Sequence, residues 1–263
     1  MTSLAFDHAT AGAGLPIVFI HAGVADRRMW DPQWHRLAGD HPLVRLDLRG
    51  FGESATPPDG PLSHPAEVIG TLAGLGIDRC HLVAASMGAG VAVEVALTAP
   101  DLVASLLLAP PGGSLLAELT DDLKAFFEAE RTALAAGDLD AAVEANIAAW
   151  VVGPGRDPAT VDREVQDAVR RMQRRAFDIQ ENWPAEPDEV ELDPPALDRL
   201  AEVRARTLVL VGAHDLATTL DAADRLCAGL PDVRRVDWPD VAHLPSLEQP
   251  DRFHALLLDW LAG

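Results

Sequence analysis

The sequence predicts an α/β fold built on a mostly parallel sheet, and three features carry that expectation. Short, continuous apolar runs of strand length recur along the chain. Helix-length segments separate them. The runs also lack the alternation of a sheet with one wet face, so the sheet is expected to be covered on both sides.

In the first half the apolar runs are residues 17–20, 43–46, 82–85 and 103–109, with helices expected at about 32–39 and 65–75 and at 87–98. After Pro110-Pro111-Gly112-Gly113 the rhythm breaks, and residues 114 to about 201 read almost wholly as helix, interrupted at Gly137, at Gly153-Pro154-Gly155 and at Pro184, Pro187, Pro194 and Pro195. Alternation then resumes, with strands at 207–211 and 233–238 and helices at about 219–228 and 250–261. The expected organisation is therefore an α/β core formed by residues 1–113 and 202–263, with residues 114–201 inserted as a helical cap.

Composition narrows the function classes. The 263 residues suit one domain with an insertion, and 48% apolar residues supply a large core. A net charge of −20 argues against nucleic acid and against an anionic membrane surface, both of which need clustered Lys and Arg. Lys124 is the only lysine. Cys80 and Cys227 have neither metal-ligand spacing nor the density of a disulfide scaffold, so two ordinary thiols are expected. Residues 1–10 lack a basic stretch followed by an apolar run, and no apolar run is of membrane-spanning length. These features predict a cytoplasmic protein with a small-molecule substrate, no nucleic-acid or membrane partner, and a monomeric or homodimeric state.

The chemistry-bearing segment is Leu82-Val83-Ala84-Ala85-Ser86-Met87-Gly88-Ala89-Gly90. A strand ends, one residue makes a sharp turn, and a helix begins, which exposes a hydroxyl at the sheet edge beside helix N-terminal amides. The turn is crowded, so its flanks must be small, and Ala84 and Gly88 are. An ordinary serine N-cap would fit the same five residues.

What separates the two is company, because a serine hydroxyl needs a base, and the base an orienting carboxylate. In this arrangement the partners follow in the order Ser, acid, His. The strand at 207–211 leads to Gly212-Ala213-His214-Asp215, which makes Asp215 the acid, although it could instead cap the following helix. The last strand leads to Pro239-Asp240-Val241-Ala242-His243, which makes His243 the base. His214 adjoins the acid too closely to face it, and Asp237 and Asp240 lie on or beside the strand that leads to the histidine. The loop after 103–109, a second common place for the acid, holds no carboxylate. Two amides must stabilise the oxyanion. Met87 offers one, and the loop His21-Ala22-Gly23 the other, with Gly23 preferred to Ala22; His21 is expected to brace that loop.

These residues resemble the α/β-hydrolase superfamily across nearly the whole chain. The signatures are His21-Ala22-Gly23 with Trp30 beyond, Asp47-Leu48-Arg49-Gly50-Phe51-Gly52-Glu53-Ser54, the Ser86 elbow, and the Asp215 and His243 loops. The chain departs from the family's pattern at Ala22 and Ala84, where glycine is usual. The resemblance is to small bacterial capped members: 3-oxoadipate-type enol-lactonases, carboxylesterases and cofactor-free haloperoxidases. It implies an eight-stranded, mostly parallel sheet flanked by helices, a helical cap over the site, and no metal or organic cofactor. The Asp47–Ser54 stretch is implied to shape the scaffold and to stay out of the chemistry.

The implied function is cofactor-independent hydrolysis of a small ester or lactone through a Ser86–His243–Asp215 triad and an acyl-enzyme. A neutral imidazole is needed, so activity should fall below about pH 6 to 7. Two alternatives stand beside it: C–C bond hydrolysis or perhydrolysis on the same triad, and a non-hydrolytic isomerase, cyclase or small-molecule binder on the same fold. Candidate pocket residues are Trp30, Phe126, Trp150 and Trp183, although aromatics at helical spacing also serve as core. The run Arg170-Arg171-Met172-Gln173-Arg174-Arg175 reads as a solvated helix face, ion-paired to Asp167 and Asp178.

Overall fold

The computed structural model describes residues 3–263 as a single sheet covered by helices on both faces, with a helical insertion near one edge. Seven strands pair in the order β1-β3-β2-β4-β5-β6-β7. They are β1 (Phe6–Ala9), β2 (Ile17–Ile20), β3 (Leu43–Leu46), β4 (Cys80–Ser86), β5 (Val103–Pro111), β6 (Arg206–Gly212) and β7 (Val233–Trp238). Only the β1–β3 pair is antiparallel; the pairs from β3 through β7 are parallel. The eight strands implied by the family resemblance are thus seven among the described residues.

Every residue of β2 and β3 is buried, as unbroken apolar runs require when both faces are covered. Burying a side chain such as Phe19 completely contributes roughly 1.5–3 kcal/mol. The edge strand β1 is half-exposed and alternates, which is why it offers no apolar run to read.

The core helices are α1 (Asp31–Leu37), α2 (His64–Gly74), α3 (Met87–Thr98), α7 (Ala217–Gly229), the short α8 (Pro245–Glu248) and α9 (Pro250–Ala262). Between β5 and β6 lie α4 (Asp121–Ala135), α5 (Leu139–Asn146), a π-helical turn (Ile147–Val152) and α6 (Arg163–Glu181). Helix α6 buries Val169, Met172, Ala176, Phe177 and Ile179 and turns its arginines outward. Arg170 pairs with Asp167 and Glu144, and Arg174 with Asp178 and Asp140, so the basic run is largely the ion-paired face that its spacing suggests. Asp167 bonds Arg170 rather than Arg171. Among the described residues, no helix is long and apolar enough to cross a membrane.

Because all strands but β1 run the same way, β2, β4, β5, β6 and β7 deliver the loops that follow them to one edge of the sheet. Those loops carry Gly23, Ser86, Gly112, Asp215 and His243 respectively.

Candidate active site

Ser86 is the last residue of β4, paired with Pro111, and directly precedes the first turn of α3, at φ 55° and ψ −119°. It is the one non-glycine residue of the described chain with a positive φ. Its hydroxyl makes no capping bond to α3, so the ordinary N-cap reading does not describe this serine. The crowding that demands small neighbours is measurable. A Cβ on Gly88 would lie 2.5 Å from the His21 carbonyl oxygen, and one on Gly112 would lie 2.8 Å from Ser86 Cα and 2.9 Å from its Oγ. The loop after β5 holds no carboxylate, and instead its Gly112 packs flush against the serine.

Asp215 and His243 lie together. His243 Nδ1 is 2.8 Å from each carboxylate oxygen of Asp215. The side chains are nearly inaccessible, 2% exposed for His243 and 0% for Asp215. Nδ1–H donates to the carboxylate, which leaves Nε2 as the unprotonated nitrogen. Nε2 is buried and has no hydrogen-bond partner among the described residues, so the Ser86–His243 bond is not formed here. Such bonds commonly tighten only once substrate is bound.

Asp215 Oδ1 also accepts the Leu216 amide at 2.8 Å, but it does not cap α7. That task falls to Asp122 of the insertion, whose Oδ2 accepts the Ala217 amide at 2.8 Å. The rival carboxylates Asp237 and Asp240 are half-exposed or more and pair with Arg235 and Arg252.

The loop after β2 is braced by His21, which is fully buried. Its Nε2 accepts the Leu48 amide at 2.9 Å, so Nδ1 carries the proton and donates to the Ala22 carbonyl at 2.8 Å. Burial pushes the His21 pKa down and keeps the ring neutral. Leu48 belongs to the Asp47–Ser54 stretch, which in turn is held from below. Asp47 is buried, accepts the Arg27 and Glu53 amides at 2.8 Å and pairs with the Arg27 guanidinium. That stretch therefore reaches the site through His21. Of the two candidate oxyanion amides, Ala22 N–H points at Met29 Sδ, 3.3 Å away, which leaves Gly23 as the better candidate. A Cβ on Gly23 would lie 3.6 Å from Met87 Cβ, so the two expected donor residues are neighbours.

The aromatic pocket candidates divide. Trp150, on the π-helical turn, packs against His243 with ring centroids 4.4 Å apart and planes tilted by 50°, and Phe126 meets Trp150 edge-on at 5.3 Å. Trp30 is wholly buried between Phe19 and Phe253, a core residue and not a pocket wall. Trp183 is a strut: its indole N–H donates to the Ala55 carbonyl at 2.8 Å and ties the end of α6 to the core. A cavity of about 390 Å³ opens beside Met87, lined by Leu62, His64, Val91, Glu94, Gly113 and Glu189 among others, and neither Ser86 nor His243 borders it. Nothing in the spacing of these residues marks them in the sequence, because they come from separate segments.

A parallel sheet that presents a strained serine, a buried Asp–His pair and a braced glycine loop along one edge defines the α/β-hydrolase architecture. The family model described as "Alpha/beta hydrolase family" matches residues 17–256, and the chain belongs to that family. It is 26% identical over 265 residues to a 2-hydroxy-6-oxo-6-phenylhexa-2,4-dienoate hydrolase of Burkholderia cepacia, covering 96% of this chain and 90% of the relative. Among solved structures, a thermophilic esterase from Thermogutta terrifontis superposes with a TM-score of 0.75 at 26% identity, covering 98% of this chain and 93% of the other. Est816, described as an N-acyl homoserine lactone degrading enzyme, superposes with a TM-score of 0.71 at 25% identity, covering 98% and 96%.

Proposed function

We propose that the protein is a serine hydrolase that cleaves a small ester or lactone without a cofactor. The observation that carries this reading is the buried Asp215–His243 pair, with a free Nε2, on the sheet edge that presents Ser86. His243 Nε2 takes the Ser86 proton as Oγ bonds to the substrate carbonyl carbon. The oxyanion that forms accepts hydrogen bonds from the Met87 and Gly23 amides. Its collapse breaks the C–O bond, and the leaving alkoxide takes the proton from His243. Water, deprotonated by the same nitrogen, attacks the acyl-enzyme and releases the acid together with regenerated Ser86. The similarity to an esterase and to a lactone-degrading enzyme supports the substrate class.

A second reading, hydrolysis of a C–C bond in a vinylogous diketone, draws support from the dienoate hydrolase relative. Turnover of p-nitrophenyl acetate, fluorophosphonate labelling and their loss in Ser86→Ala test the serine. Wild-type rates retained by that variant would overturn the assignment. A panel of simple esters, lactones and ring-cleavage dienoates ranks the two readings by kcat/KM.

A further inference from the structure

The insertion touches the Asp215 and His243 loops through a side-chain pair that the proposed chemistry does not use. Arg156 follows the π-helical turn that carries Trp150, and Glu248 ends α8, five residues beyond His243. Their side chains are 9% and 6% exposed, and Arg156 Nη1 lies 2.9 Å from Glu248 Oε2. The other carboxylate oxygen, Oε1, accepts the Ala242 amide at 2.7 Å, one residue before His243. The same stretch of insertion seats its backbone on both loops. Gly153, at φ 85°, packs against the His214 carbonyl with no room for a side chain, and a Cβ there would also lie 3.0 Å from Ala242 Cβ.

A buried ion pair is a poor device for stability, because the cost of desolvating two charges offsets most of their attraction. An apolar pair would hold two surfaces together as well. What an apolar pair lacks is an acceptor for the Ala242 amide. The carboxylate joins the insertion to the backbone that sets the imidazole, and the guanidinium fixes where that carboxylate sits.

We infer that Arg156 and Glu248 are positioning residues for His243: seating the insertion aligns the imidazole against Asp215. This rests on the hydrolase reading above for its kinetic consequence, but not for its spectroscopic one. The Nδ1 proton held between His243 and Asp215 gives a far-downfield proton resonance, visible whether or not any ester is turned over.

The experiment compares wild type with Glu248→Ala, Arg156→Met and the double variant Arg156→Met/Glu248→Gln, all as full chains. Each is assayed with p-nitrophenyl acetate per fluorophosphonate-labelled site. Glu248→Ala strips the Ala242 amide of its acceptor and strands Arg156; kcat should fall ~10-fold or more with KM little changed, and the downfield resonance should broaden or vanish. Arg156→Met should show a smaller fall in kcat. The double variant keeps an amide acceptor without stranded charge, and should recover most of both kcat and the resonance. If the single variants melt at lower temperature but keep wild-type kcat and an unaltered resonance, the pair is only an anchor and the inference is overturned. It is equally overturned if the double variant is as impaired as Glu248→Ala. Should the wild type neither label nor turn over, the hydrolase reading fails separately, and the resonance alone decides the positioning role.

Discussion

The indole of Trp150 lies over the imidazole of His243, with ring centroids 4.4 Å apart and planes inclined at 50°. The contact joins the insertion to the base of the proposed triad, and Trp150 itself is only 8% exposed. On the hydrolase reading proposed above, that contact makes the insertion the wall that a substrate's acyl or alcohol group would meet.

Replacing that wall should widen the range of esters accepted. Trp150→Ala is expected to raise the ratio of kcat/KM for p-nitrophenyl octanoate over acetate several-fold. It should also lower stability by ~3–5 kcal/mol, as large-to-small core changes do. An unchanged chain-length ratio would show that Trp150 is packing alone.

Asp215→Asn keeps an oxygen for the Leu216 amide, so the fold should survive. It removes the carboxylate that fixes the His243 tautomer, and kcat should fall ~10³–10⁴-fold as in other triads. Circular dichroism and melting check the fold, and steady-state kinetics check the rate; a loss of less than tenfold would place the acid elsewhere.

Gly112→Ala pushes a methyl against Ser86 Cα and Oγ at 2.8 and 2.9 Å. The expected outcome is a loss of ~1–3 kcal/mol from overpacking, together with much slower fluorophosphonate labelling. Gly23→Ala is the companion control. Its Cβ would make ordinary contact with Met87 at 3.6 Å and its amide is retained, so activity should stay within a few-fold of wild type. Both are read by labelling rate and urea denaturation.

Acid should weaken the fold through histidines that burial holds neutral. Burial lowers His64 from 6.5 to about 4, and burial lowers His21 as well. Between those limits the unfolded chain holds the His64 proton and the folded chain does not. Stability therefore falls as pH drops from 6.5 towards 4, by ~1.4 kcal/mol per pH unit for each proton. Urea midpoints across that window should decline, and His64→Gln should flatten the decline; a level profile in the wild type would contradict the burial argument.

Much of this site is readable from local pattern, because its parts hang from strands that announce themselves. Residues 17–20, 43–46 and 233–238 coincide with β2, β3 and β7, and 87–98 with α3, since continuous burial leaves an unbroken apolar signature. Naming Ser86, Asp215 and His243 as candidates needs the elbow's small flanks and the order of the strands, both of which the sequence carries. Strand β1 escapes because Phe6-Asp7-His8-Ala9 is short and half-wet. Trp30 misleads for a related reason: hydropathy cannot tell an aromatic in the core from one on a pocket wall, and its neighbours Phe19 and Phe253 are far away in sequence. The pairing of Arg156 with Glu248 spans 92 residues and has no periodicity, so only the folded chain reveals it.

The backbone at Ser86 has a consequence for how this protein persists. A φ of 55° costs an L-residue about 1–2 kcal/mol that glycine would be spared. Folding and reactivity therefore ask for different residues at this one position. The cost lies in the Cβ and not in the hydroxyl, so Ser86→Ala would leave it in place and only glycine would relieve it.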